Sequence, residues 1–136
     1  MISSRPVSKK TILCIDDDEA ILRYEKALLE RSRCAVITAV TAQQGLRLVT
    51  MCECDAVLLD YGIPGMTGNE LAVEIKRARP GLMILLLSAS HVPANELPLV
   101  DAFLPKLEAS RQLLPMIADI CSRTQQYREK KERSQP

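Results

Sequence analysis

The chain's 136 residues suffice for one full hydrophobic core and leave little room for a second. Its 47% apolar and 26% charged content excludes disorder throughout. The 18 basic side chains nearly cancel the 17 acidic ones, aromatic residues make up only 3%, and there is no Trp. The chain therefore carries neither a basic footprint for duplex nucleic acid nor stacking platforms for single strands.

No stretch approaches the roughly 18 consecutive apolar residues of a membrane span. The opening MISSRPVSKK lacks the apolar core and small-residue cleavage site of a secretory signal. The expectation is a flexible N-terminal segment over 1–10, no membrane insertion and a cytoplasmic working compartment. The five Cys form no framework and are odd in number, which points to free thiols. Cys52 and Cys54 make a CxC pair, but with His91 as the only His a zinc site would lack ligands.

A strand then helix alternation runs along the chain. Thr11 to Ile15 is a compact apolar run, as expected of a parallel strand buried on both faces, and it ends in three Asp residues. Ala20 to Arg31 follows as a helix with Ile21, Tyr24 and Leu28 on its apolar side. Ala35 to Ala39 reads as the second strand. Thr41 is placed to cap a helix running to about Met51, with Gln44 three residues on. Asp55 to Leu59 is the third strand and delivers Asp60 at its carboxyl end. A loop rich in Gly and Pro leads into a helix near Thr67 to Arg77, stopped by Arg79, Pro80 and Gly81.

Met83 to Leu87 is the fourth strand, with Ser88 at its end. Pro93 and Pro98 leave room for only a shortened fourth helix before a fifth strand at Ala102 to Leu104. Pro105 cannot donate to a sheet, which suits an edge strand or its terminus. A last helix is expected over Ser110 to Cys121, interrupted or bent near Pro115. The segment 122–136, SRTQQYREKKERSQP, shows no apolar stripe and reads as a frayed, charged C-terminal tail. Its other reading is a basic surface of Arg128, Lys130, Lys131 and Arg133 for an acidic partner, weakened by Glu129 and Glu132.

Five such units define a doubly wound α/β domain, whose reactive groups belong at the carboxyl ends of the strands. Asp16, Asp17, Asp60, Ser88 and Lys106 all fall at such ends, and right-handed crossovers bring those ends to one rim. Clustered carboxylates need a compensating cation. A donor set of oxygens alone suits Mg²⁺, with Asp17 and Asp60 as direct ligands, the Gly62 carbonyl as a third, and Asp16 acting through water. Lys106 would neutralise charge on a phosphoryl group and Ser88 would donate a hydroxyl hydrogen bond to it. Asp60 is the candidate nucleophile.

At these segments the sequence resembles a bacterial response-regulator receiver domain, from about Thr11 to Cys121. ILCIDDDEAILR resembles the family's opening acidic segment, LLDYGIPGMTGNEL its phosphoacceptor segment, LLLSAS its Ser or Thr switch strand and DAFLPK its lysine segment. The resemblance implies a flavodoxin-like five-stranded parallel sheet of order 2-1-3-4-5. It also implies Asp60 as phosphoacceptor, Ser88 and Phe103 as switch residues and Mg²⁺ as cofactor. The implied partners are a sensor histidine kinase or histidine phosphotransfer protein, with an unidentified downstream protein receiving the signal. Composition leaves homodimerisation open.

Three departures from the family pattern stand out. Leu107 follows Lys106 where Pro is usual, so no cis bond is expected there, since a cis non-Pro bond costs about 2.5–4 kcal/mol. Lys106 must then be aimed by other packing. Ile63 replaces a common Met before Pro64. The small Gly62 and Ser90 leave an attacking water unobstructed, so no extended phosphate lifetime is expected. The rival readings are a phosphate-independent interaction module and, from the Asp16 and Asp18 spacing, a phosphatase-like hydrolase.

Overall fold

The computed structural model describes residues 9–134. Five strands, β1 (Thr11–Ile15), β2 (Ala35–Ala39), β3 (Ala56–Asp60), β4 (Ile84–Ser88) and β5 (Ala102–Pro105), form one parallel sheet of order β2-β1-β3-β4-β5. Four α-helices connect or follow them: α1 (Glu19–Arg31), α2 (Ala42–Met51), α3 (Gly68–Ala78) and α4 (Ala109–Arg133). The expected doubly wound order is present. The expected N-terminal segment over 1–10 lies, apart from its last two residues, outside the described residues.

The period of two along each strand sorts the core into two layers. Leu13, Ile15, Val57, Leu59, Ile84 and Leu86 face α2 and α3, where Val49, Leu71 and Ile75 complete a buried cluster. Ile12, Cys14, Leu58, Leu85 and Leu87 face α1 and α4, meeting Leu22, Leu29, Leu113, Ile117 and Ile120. Every residue of β3 and β4 is buried, as central parallel strands require.

The helix starts follow local chemistry. Asp18 caps α1 by accepting the Ala20 and Ile21 amides at 2.9 and 3.4 Å. Thr41 accepts the Gln44 amide at 3.0 Å, while the Gln44 side chain reaches the Val40 amide at 2.9 Å, one residue before the cap position. Thr67 and Glu70 form a reciprocal capping box at α3.

Two expectations change at the C-terminal half. Between β4 and β5 the only helical element is a 3₁₀ turn at Leu97–Leu99, so the shortened fourth helix contracts to a single turn. The last helix is neither interrupted at Pro115 nor finished at Cys121; it runs to Arg133. Residues 122–133 of the segment read as a frayed tail therefore continue the helix along the sheet's amino ends. The stripe of Leu113, Ile117 and Ile120 is extended by Thr124, which is buried and accepts the Met83 amide at 3.2 Å. Tyr127 comes next and occupies the space beside Gly81, where an added Cβ would sit 1.9 Å from its ring. Arg128, one of the cations assigned to a free basic surface, instead ion-pairs with Asp55 at 2.8 Å and donates to the Cys54 carbonyl at 2.6 Å.

Candidate phosphoacceptor site

Three strand ends and the β5 terminus meet at the sheet's carboxyl edge. Asp16 follows β1 and is held there by its amide, which donates to the Ala39 carbonyl at 3.1 Å. Asp60 closes β3, and its neighbour Tyr61 donates its amide to Leu87 of β4 at 2.9 Å. Lys106 opens a 3₁₀ turn just beyond β5. The carboxylate oxygens of Asp16, Asp17 and Asp60 lie within 4.8 Å of one another. Into this group Lys106 places its ammonium, 2.8 Å from Asp60 Oδ1 and 3.6 Å from Asp16 Oδ2.

The electrostatics follow from that crowding. Burial holds the Asp16 carboxyl above its ordinary range; the Asp18 amide bonded to it at 2.9 Å works the other way, and the Asp60 charge raises it further. Lys106 loses hydration, which alone would ease its proton off, but the Asp60 hydrogen bond and the two carboxylates outweigh this and leave its proton more firmly held than usual. Asp16 Oδ2 is buried and, among the described residues, has no hydrogen-bond partner. With only the Lys106 ammonium near it, at 3.6 Å, and two further carboxylates beside it, this buried oxygen keeps acceptor capacity suited to a hard cation or its bound water. The donor set thus fits Mg²⁺. Among the described residues, no other group of three or more His, Cys, Asp or Glu side chains is assembled for a metal, and the CxC pair is not part of one.

The remaining predicted residues sit around this centre. Gly62 is exposed beside Asp60, and an added Cβ would stand 3.8 Å from Asp60 Oδ2, so the Asp60 carboxylate is open on that side. Ser88 is buried at the end of β4, with its hydroxyl donating to the Ser90 carbonyl at 2.7 Å and accepting the Ser90 amide at 3.1 Å. Phe103 is half-buried on β5, packed against the α2 and α3 side of the core. Among the described residues no cis peptide is present, and Leu107 is 97% exposed. Asp18 is engaged as the α1 cap, which takes the second carboxylate of the hydrolase reading away from the cluster chemistry.

Two features were not legible as site elements from sequence. Tyr61 Oη donates to Glu96, tying the residue after Asp60 to the connection between β4 and β5. Glu25 of α1 is 4% exposed, and burial followed by the Asp16 charge pushes its carboxyl up to about 8. Its signal was present in the pattern: a Glu occupies the apolar stripe between Leu22 and Leu29.

A parallel, doubly wound α/β domain with an acidic cluster and one lysine at the carboxyl edge defines a class of phosphate-handling signalling folds. The family model for the response regulator receiver domain matches residues 12–117. The chain belongs to this family, the phosphoacceptor domains of two-component signalling. It is 29% identical to a CheY-like receiver domain protein from Methanospirillum hungatei, covering 88% of this chain and 99% of that one with a TM-score of 0.81. A Thermotoga maritima response regulator solved in complex with Mg²⁺-BeF is 26% identical, with coverage of 82% and 98% and a TM-score of 0.77. Among curated relatives, the Pseudomonas aeruginosa phosphate regulon transcriptional regulatory protein is 28% identical over 85% of this chain and 53% of its own length. The Escherichia coli transcriptional regulatory protein GlrR is 31% identical over 57% of this chain and 18% of its own length. The chain thus spans about half or less of the length of these curated relatives.

Proposed function

We propose that this domain accepts a phosphoryl group on Asp60 from a phosphohistidine of a sensor kinase or phosphotransfer protein and releases it again to water. The observation that carries this reading is the Lys106 ammonium 2.8 Å from Asp60 within a cluster of three carboxylates. In the transfer, an Asp60 carboxylate oxygen forms a bond to phosphorus while the bond from phosphorus to the donor nitrogen breaks, leaving neutral imidazole after proton uptake. Asp17, Asp60 and the Gly62 carbonyl would hold Mg²⁺, with Asp16 acting through water. Bound there, the ion supplies charge compensation for the acidic cluster and the phosphoryl oxygens.

The protein's own groups do the rest. Lys106 offsets the new negative charge, moving from the carboxylate it now bridges to a phosphoryl oxygen. Ser88 exchanges its bonds to Ser90 for one to the phosphoryl group, which releases the chain at Ser90. Phe103 then repacks and changes the surface a downstream protein meets. Because the fourth helix is a single turn, that surface is built from β5, the start of α4 and the 89–101 connection.

Intact-mass measurement with acetyl phosphate and Mg²⁺ tests the reading. The wild type should gain one phosphoryl mass and Asp60→Asn should gain none. A folded, Mg²⁺-binding wild type that stays unlabelled by acetyl phosphate and by a phosphorylated His kinase would leave a phosphate-independent interaction module as the function.

A further inference from the structure

The connection between β4 and β5 has few polar ties to the rest of the domain. From His91 to Val100 its backbone bonds run within the segment: the Glu96 amide donates to the Pro93 carbonyl at 3.0 Å, Leu99 to Glu96 at 3.2 Å and Val100 to Leu97 at 3.2 Å. Val92, Leu97 and Val100 pack it against the α2 and α3 layer. Among the described residues, a single hydrogen bond joins 91–100 to the rest of the domain, from Tyr61 Oη to the Glu96 carboxylate.

The donor of that bond stands next to Asp60 and is firmly held. The Tyr61 amide donates to the Leu87 carbonyl at 2.9 Å, and its carbonyl accepts the Gly68 amide at 3.3 Å. Its ring lies so close to the start of α3 that a Cβ on Gly68 would stand 3.0 Å from Tyr61 Cα and 3.2 Å from Cδ1. The bond to Glu96 also holds the phenol above its ordinary value, so the hydroxyl keeps the proton it donates. Before residue 91 the connection has one further attachment, the Ser88 hydroxyl bonded to the Ser90 carbonyl at 2.7 Å and to its amide at 3.1 Å. Once Ser88 turns to a phosphoryl group, the Tyr61–Glu96 bond is the polar attachment that remains, and it resists movement of the segment.

We infer that Tyr61 and Glu96 form a latch that holds 91–100 in its phosphate-free arrangement and thereby opposes phosphorylation of Asp60. This inference rests on Asp60 being the acceptor. Neither residue belongs to the acidic cluster. A contact that favours the phosphate-free arrangement lowers the apparent affinity for any group that favours the other, so releasing the latch promotes the phosphorylated state.

The test titrates wild type, Tyr61→Phe, Glu96→Ala and the double variant with beryllofluoride at saturating Mg²⁺, and follows labelling by acetyl phosphate in parallel. Each single variant should bind beryllofluoride about two- to tenfold more tightly and label faster, the range set by the net contribution of one hydrogen bond. The double variant should shift no further than either single one, because the two residues act as a pair. A merely structural contact would weaken binding on removal or leave it unchanged. Unchanged or weaker binding in the variants, or shifts that add in the double variant, would overturn the inference, while labelling of wild type upholds the acceptor reading. Wild type that neither labels nor binds beryllofluoride would defeat the acceptor reading and the latch with it.

Discussion

Arg128 of the last helix and Asp55, immediately before β3, are joined at 2.8 Å, and the second oxygen of Asp55 accepts the Thr11 amide at 2.8 Å. One carboxylate therefore ties the end of α4 to the amino ends of β1 and β3. The same helix reaches β4 through Thr124 and the Met83 amide, and reaches Asp101 through Arg123, which donates to the Asp101 carbonyl at 2.9 Å.

Replacing Arg128 by Ala should destabilise the domain by about 1–3 kcal/mol, because it strips partners from the Asp55 carboxylate and the Cys54 carbonyl. Urea unfolding would register this as a lower midpoint at unchanged slope. A change within about 0.5 kcal/mol, the usual range for surface substitutions, would return 122–133 to the status of a dispensable tail.

That tail was illegible in sequence for a physical reason. Its inward positions continue the stripe with Thr124, Tyr127 and the stem of Arg128, polar residues whose apolar parts pack while their polar atoms find partners on the strand ends. A pattern of Leu and Ile does not anticipate this. The strand and helix alternation, and the fall of Asp16, Asp17, Asp60, Ser88 and Lys106 at strand ends, were legible in the residues, because short buried strands end in polar side chains; the strand order came with the family resemblance. The fourth helix was harder to read, because Pro93 and Pro98 limit a helix without saying how little of it survives.

Glu25 gives the metal-free protein a pH dependence of definite sign. Below its ordinary value of 4.5 the carboxyl is protonated in folded and unfolded chains alike, and its burial adds no ionisation penalty. As pH rises toward about 8 the unfolded chain releases this proton while the folded one retains it, so stability falls across that window. Relative to Glu25→Gln, the wild type should lose on the order of 2–4 kcal/mol between pH 4.5 and pH 8. Asp16 is shifted in the same direction but is common to both proteins and cancels. Parallel stability profiles for the two proteins would show that Glu25 ionises freely.

Mg²⁺ should stabilise the fold by mass action, by about 2.7 kcal/mol at a hundredfold excess over its dissociation constant. Asp17→Asn should remove most of this gain while leaving metal-free stability nearly unchanged, since Asp17 is exposed and, among the described residues, makes no side-chain hydrogen bond or ion pair. Thermal unfolding with and without the ion measures both quantities. An undiminished Mg²⁺ effect in the variant would place the ion elsewhere.

Tyr61→Phe cuts the bond to Glu96 and keeps the ring. Amides of 89–101 should then exchange several-fold faster, since the sole helical element of that connection is the turn at Leu97–Leu99, capped at Glu96. Global stability should fall by no more than about 0.5–1.5 kcal/mol. Hydrogen exchange read by mass spectrometry resolves the segment, and unaltered protection there would mean the connection is held by its apolar contacts alone.

The short β5 bears on how another polypeptide can dock. It is an outer strand of four residues whose last member is Pro105, opposite Ser88. A peptide trying to lengthen the sheet on that margin meets a ring where the next amide would be and gains very little backbone pairing. Recognition on the β5 margin must therefore be written in side chains. Addition of a further strand is confined to the β2 margin, at the opposite side of the sheet from Ser88 and Phe103, the residues proposed to switch.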